Sequence, residues 1–149
     1  MLYFSAHWCP PCRRFTPMLI EFYKKLQASS EESMELIFCS LDRVESDYKN
    51  YISNMPWKCM PFEAPESIKL AQKYGAQGIP HLVVCDSSGN VITKDGTMEL
   101  HDDPEGKSFP WKPKSFGEVW PEQIHATEDT FLSSSEMKEK YLMLYFSGS

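Results

Sequence analysis

Cys9 and Cys12, separated by Pro10 and Pro11, are the side chains whose type and spacing most directly permit chemistry. Two thiols one helical turn apart can cycle between a dithiol and a disulfide. The apolar run at residues 2–6 reads as a strand, and Phe15, Leu19, Phe22, Tyr23 and Leu26 recur at helical spacing, so the pair sits where a strand hands over to a helix. A helix N-terminus carries unpaired N–H groups and partial positive charge, which stabilise a thiolate at Cys9 and draw its pKa from about 8.5 toward neutrality. Cys9 is then the nucleophile. Cys12, one turn later and more buried, attacks the mixed disulfide and releases the product thiol. Pro11 suits the first helical turn because its missing N–H would be unpaired there anyway. Arg13 and Arg14 either favour the thiolate further or face solvent.

The competing reading of such a pair, half of a zinc site, needs a second pair at suitable spacing. Cys39, Cys59 and Cys85 are isolated, and the histidines stand apart at 7, 81, 101 and 125, so no metal is expected. Five cysteines without a secretory signal point to a reducing compartment, the cytosol and second the nucleus. Cys39 and Cys85 lie in apolar strands and read as buried and unreactive, whereas Cys59 reads as a more exposed loop thiol.

The elements that must hold the pair follow from periodicity. Residues 35–41 form a buried strand, a helix begins near Ser46 and ends near residues 54–56, and a third helix runs from Ala64 to Tyr74 with Pro65 at its start and Gly75 at its stop. Residues 81–86 and 91–96 make a strand–turn–strand hairpin around residues 87–90. Residues 104–121, rich in proline, read as extended chain at the domain edge, and a short helix to Lys140 leads into a last strand. Helices alternating with strands give an α/β layer fold with a mixed central sheet flanked by helices. A length of 149 residues with 42% hydrophobic content suffices for one core, and a net charge of −6 without a basic stripe argues against nucleic acid as a ligand. No run of about 18 apolar residues occurs, so no membrane is expected.

Gly78-Ile79-Pro80 opens the strand at His81, and a proline at a strand start after glycine is a natural site for a cis peptide bond; by itself it is also an ordinary strand-edge proline. With residues 8–12 (WCPPC) at a strand–helix junction and Ile79-Pro80 further on, the chain resembles the thioredoxin superfamily. The segments FSAHWCPPCR, SLDRVESDYKNY, NMPWKCMPF, YGAQGIPHLVV and FPWKP, spread over residues 4–113, resemble the nucleoredoxin and tryparedoxin branch, nucleoredoxin being nearer. The resemblance implies a thioredoxin fold and a protein dithiol–disulfide oxidoreductase without a bound cofactor. It implies that Trp8 flanks the nucleophile, Cys9 attacks, Cys12 resolves, and Trp57 lines the groove, unless Trp57 is a core aromatic. Ile79 and Pro80 would receive substrate backbone by β-augmentation. Partners implied are disulfide-containing proteins and an electron donor, either an NADPH-linked reductase or a low-molecular-weight thiol. A redox-sensitive binding module, in which Trp8, Trp57 and Pro80 hold a signalling partner, is the alternative.

Tyr3 stands where ordinary thioredoxins keep a buried aspartate that handles the proton of the second cysteine; water, Glu66 or Asp42 would have to serve instead. Pro10, Pro11, Arg13 and Tyr3 are accordingly candidates for tuning the thiol pKa. His81 follows the proline where the family usually has threonine; it either tunes the thiolate and touches substrate, or is a satisfied or solvent-facing histidine. Residues 143–147 repeat residues 1–5, MLYFS, which reads as an internal repeat. On that reading residues 1–124 form a thioredoxin-like domain that lacks its usual leading strand and helix. Residues 125–149 resemble the lead-in to a following copy and could supply the missing pieces within the chain or by exchange in a swapped dimer.

Overall fold

A computed structural model describes residues 1–29, 34–115, 118, 123–127 and 130–133. The chain divides into two compact units, Met1–Pro113 and Lys114–Ser149.

The first unit is built on a five-stranded mixed sheet in the order β3-β2-β1-β4-β5. Its central strand β1 (Leu2–Ser5) runs parallel to β2 (Ile37–Ser40) and antiparallel to β4 (His81–Cys85). Because alternate strand residues face opposite sides, Tyr3 and Ser5 point one way and Phe4 the other. Tyr3 joins Phe38, Leu82 and Val84 in a large core with Phe15, Leu19 and Phe22 of α1 (Pro10–Ser29) and Tyr48 and Tyr51 of α2 (Glu45–Ile52). Phe4, Cys39 and Val83 form a smaller core with Ala71 and Tyr74 of α3 (Pro65–Tyr74). Helices thus flank both faces of the mixed sheet, as the sequence predicted.

Local chemistry sets the ends of α3. Pro65 occupies its first turn, and Gly75 closes it in the left-handed region at φ 74°, its N–H reaching the Gln72 carbonyl while Ala76 N–H reaches that of Ala71.

Three features depart from the sequence reading. A two-residue strand β3 (Lys58–Cys59) pairs with Ile37 and Phe38 of β2, which places Cys59 on a sheet edge and not in a loop. The second hairpin strand β5 (Val91–Thr93) stops early, because Thr93 Oγ1 accepts the Asp95 N–H and the chain turns into α4 (Gly96–Asp102). α4 escapes periodicity because Leu100 is its one large buried side chain, while Met98 is 63% exposed. Its entry requires glycine: a Cβ at Gly96 would stand 2.7 Å from the Leu82 carbonyl oxygen.

The segment after α4 is not merely domain edge. The Asp103 carboxylate accepts the Lys107 and Ser108 N–H groups and the Trp111 indole, and these bonds hold its pKa below the usual carboxylate range. Trp111 is thereby stacked on Phe22 of α1, with ring centroids 5.2 Å apart.

In the second unit, β6 (Gln123–Thr127) and β7 (Thr130–Ser133) form an antiparallel hairpin. The helix to Lys140 and the strand carrying the repeated MLYFS lie outside the described residues, as does most of the segment invoked for a swapped dimer.

Candidate active site

β1 ends at Ser5 and α1 begins at Pro10, so the four residues between them carry Cys9 to the lip of the helix. Cys9 and Cys12 are joined in a disulfide, with Cα atoms 5.3 Å apart. Cys12 is fully buried and Cys9 is 5% exposed, which leaves Cys9 the sulfur nearer solvent. The Cys12 N–H points at Cys9 Sγ, 3.3 Å away. This is one of the helix's unpaired N-terminal donors, and in the reduced protein the same donor stabilises a thiolate on Cys9. Opposite, the Ile79–Pro80 peptide is cis, and the Ile79 carbonyl oxygen lies 3.7 Å from Cys9 Sγ. The two motifs that the sequence singles out, some 70 residues apart, therefore meet at one sulfur.

The loop before Cys9 is held by consecutive residues of the β2–α2 connection. Asp42 Oδ1 accepts the His7 N–H at 2.7 Å, the Leu41 carbonyl accepts the Trp8 indole N–H at 3.1 Å, and the Arg43 guanidinium lies 5.2 Å from the Trp8 ring centroid. Asp42 is itself buried and fixed by Ser40 Oγ at 2.8 Å. Arg13 completes the clamp by donating to the His7 carbonyl at 2.6 Å. Its guanidinium positions the loop, while Arg14 is exposed. Trp8, which directly precedes Cys9, is 46% exposed.

Trp57 does not line this face. It is a core residue packed edge-on against Tyr3 and Tyr23, and its indole nitrogen is buried without a hydrogen-bond partner. Pro10 and Pro11 are exposed in the first turn of α1, and Glu66 is exposed on α3. His81 lies beside Phe4 with a buried, unpartnered Nε2; burial pushes its pKa down, with Asp95 pulling it up and Lys94 pushing it down.

Tyr3 belongs to a buried hydroxyl network. Thr16 Oγ1 lies 2.8 Å from Tyr3 OH and 2.6 Å from Tyr51 OH, and it donates to the Cys12 carbonyl at 2.9 Å; Ser5 Oγ lies 2.8 Å from Tyr51 OH. Burial holds the Tyr3 phenol well above its ordinary pKa, so it stays neutral. Sequence reasoning missed Thr16, Tyr51 and Ser5. Thr16 was within reach, four residues after Cys12 and so on the same helix face, whereas Tyr51 joins only once α2 docks.

The remaining thiols, Cys39, Cys59 and Cys85, are free. Cys39 is buried, its pKa pushed up to about 12, and burial also raises Cys59; Cys85 is only half-buried, unlike the expectation for it. Among the described residues, no group of three or more His, Cys, Asp or Glu side chains is placed to hold a metal, and no helix is long and apolar enough to cross a membrane.

Residues 1–91 match the thioredoxin-like family. The chain belongs to that family. Nucleoredoxin from Mus musculus is 49% identical over 115 residues, 76% of this chain and 26% of that protein. The chain thus spans about a quarter of the length of that relative. Native tryparedoxin I from Crithidia fasciculata superposes with a TM-score of 0.69 at 44% identity, covering 76% of this chain and 78% of that one. Tryparedoxin II in complex with glutathionylspermidine is 41% identical with a TM-score of 0.69, covering 75% and 78% of the two chains. The α/β sandwich is therefore a thioredoxin fold, with the Cys9–Cys12 disulfide at the start of its first helix.

Proposed function

We propose that the chain is a protein dithiol–disulfide oxidoreductase that reduces disulfides through Cys9 and Cys12. The observation that carries this reading is the Cys9–Cys12 disulfide at the start of α1, with the Cys12 N–H aimed at Cys9 Sγ and the Ile79–Pro80 backbone facing it. In the reduced protein the Cys9 thiolate attacks a substrate disulfide, forming a mixed disulfide and expelling one substrate thiolate, which takes up a proton. Cys12 loses its proton and attacks Cys9 Sγ; the Cys9–Cys12 disulfide forms and the second substrate thiolate leaves. Two electrons have passed to the substrate. A reductase or low-molecular-weight thiol returns them, and the relative seen with glutathionylspermidine supports a thiol of the latter kind.

The substrate's extended chain pairs with the backbone at Ile79 and Pro80, and the exposed Trp8 shields the exchanging sulfurs on the other side. A cytosolic or nuclear setting is supported by cysteines 39, 59 and 85, which stand as free thiols. Reduction of insulin disulfides with dithiothreitol as donor tests the reading. Wild type accelerates precipitation and Cys9→Ser does not; equal rates would refute it. The exposed Trp8 supports a second reading, a redox-sensitive binding module, for which Cys9→Ser changes partner affinity without abolishing function. Exchange of residues 125–149 between chains rests on the MLYFS repeat, and a concentration-independent monomer mass in sedimentation velocity would refute it.

A further inference from the structure

Of the fifteen basic side chains besides histidine, only Arg13, Arg14 and Arg43 are arginine; Arg13 and Arg14 lie in the first turns of α1 just after the disulfide, and Arg43 in the β2–α2 connection that holds the Trp8 loop. Arg13 donates from Nη1 to the His7 carbonyl, and Arg43 lies over the Trp8 ring. Arg14 follows Pro10 and Pro11 by four and three residues, so it shares their exposed helix face.

The ion pairs among the described residues are made by Lys24, Lys25, Lys49 and Lys58, and none by an arginine. The carboxylates nearest in sequence to Arg43 are occupied otherwise. Asp42 holds the His7 N–H, Glu45 pairs with Lys49 at 2.9 Å, and Asp47 faces His7 Nδ1 at 3.7 Å. A guanidinium held over an indole face keeps N–H donors free for a carboxylate, in a fork that an ammonium cannot reproduce. Val44, 53% exposed, adds an apolar contact beside it.

We propose that this rim selects protein disulfides flanked by acidic residues, with Arg43 and Arg14 receiving the flanking carboxylates and Trp8 and Val44 the adjoining aliphatic surface. The inference rests on the oxidoreductase reading of the same site. On a chain of net charge −6, the arginine rim also orients an acidic segment toward the disulfide and away from the rest of the surface.

The test uses three disulfide-bridged peptides of equal length with the cystine flanked by aspartate, serine or lysine, reduced by the full chain with dithiothreitol as donor. An exposed ion pair gives about 1.4- to fivefold. The aspartate peptide therefore exceeds the serine peptide in kcat/KM by a few-fold at low salt, and the lysine peptide falls below it. The preference collapses in 1 M salt, where the screening length is about 3 Å. Arg43→Gln and Arg14→Gln each lower the aspartate-to-serine ratio, and Arg43→Lys restores only part of it. Equal kcat/KM for the three peptides, or a preference that salt and Arg43→Gln leave alone, overturns the inference. The same peptides with serine in place of cysteine, titrated by fluorescence of a Trp57→Phe, Trp111→Phe, Trp120→Phe chain in which Trp8 is the sole indole, or by calorimetry of the unaltered chain, report the preference without turnover. Failure to reduce any peptide counts against the oxidoreductase reading, and equal binding of the three counts against the acidic preference.

Discussion

Thr16→Val removes one oxygen atom from the hub of the buried network beneath the disulfide while keeping a β-branched side chain of similar shape and helix propensity. Proton directions there follow from what each partner can do. The Cys12 carbonyl can only accept, so it takes the single Thr16 hydroxyl hydrogen; both tyrosines must then donate to Thr16 Oγ1, and Tyr51 accepts from Ser5. Without that oxygen, the Tyr3 hydroxyl is a buried donor stripped of its acceptor, which costs about 1–3 kcal/mol. Tyr51 keeps Ser5 and loses the net worth of one bond, about 0.5–1.5 kcal/mol. The expected destabilisation is therefore about 1.5–4.5 kcal/mol, on the order of 7–22 °C in the melting temperature of a domain near 100 residues. Urea and thermal unfolding of the oxidised protein measure it, with Tyr3→Phe made in both backgrounds. In wild type, Tyr3→Phe loses a satisfied bond and destabilises by about 1 kcal/mol. In the Thr16→Val background it removes the orphaned hydroxyl and stabilises. A Thr16→Val cost below about 0.5 kcal/mol, or a Tyr3→Phe effect of the same sign in both backgrounds, refutes the assigned directions.

Asp42→Ala frees the His7 N–H and with it the loop that presents Trp8 and Cys9, so insulin reduction falls several-fold and the intrinsic tryptophan fluorescence red-shifts. Asp42→Asn, which keeps an acceptor, retains most of both, and activity unchanged in Asp42→Ala would show that the clamp is dispensable. Gly96→Ala drives a methyl group into the Leu82 carbonyl and lowers stability by about 1–3 kcal/mol, read as a shift in the urea midpoint; no shift would mean that α4 does not sit so close to β4. Above pH 10 an unfolded tyrosine ionises, whereas burial keeps Tyr3 protonated in the folded state. The unfolded state then binds fewer protons, so stability present below pH 10 declines as pH rises, by about 1.4 kcal/mol per unit for this one group. Tyr3→Phe flattens that slope, and an unaltered alkaline slope would contradict the burial.

The sequence was most legible where local rules carry the structure. The strand–helix junction around Cys9, α3 with its proline start and glycine stop, and the strand after Pro80 all follow from periodicity and punctuation, because each depends on neighbours a few residues away. Elements that exist only by docking were illegible. β3 is two residues made a strand by pairing with β2, and α4 opens on a glycine that lets it approach β4. Trp57 carried no signal to choose between groove and core, since both bury an aromatic ring.

By itself the sequence determined which atoms could exchange electrons, because two thiols three residues apart at a helix start are close in any helical backbone. It also determined the family, through the motif beside them and Ile79-Pro80. Only the tertiary structure decided what surrounds those sulfurs. Asp42, Leu41 and Arg43 reach the Trp8 loop from a connection more than thirty residues away, and Tyr51 closes a hydroxyl network with Thr16 from a separate helix. Those contacts are set by how β1, β2 and α2 pack, and packing is a property of distant residues jointly excluding water, which no local pattern encodes.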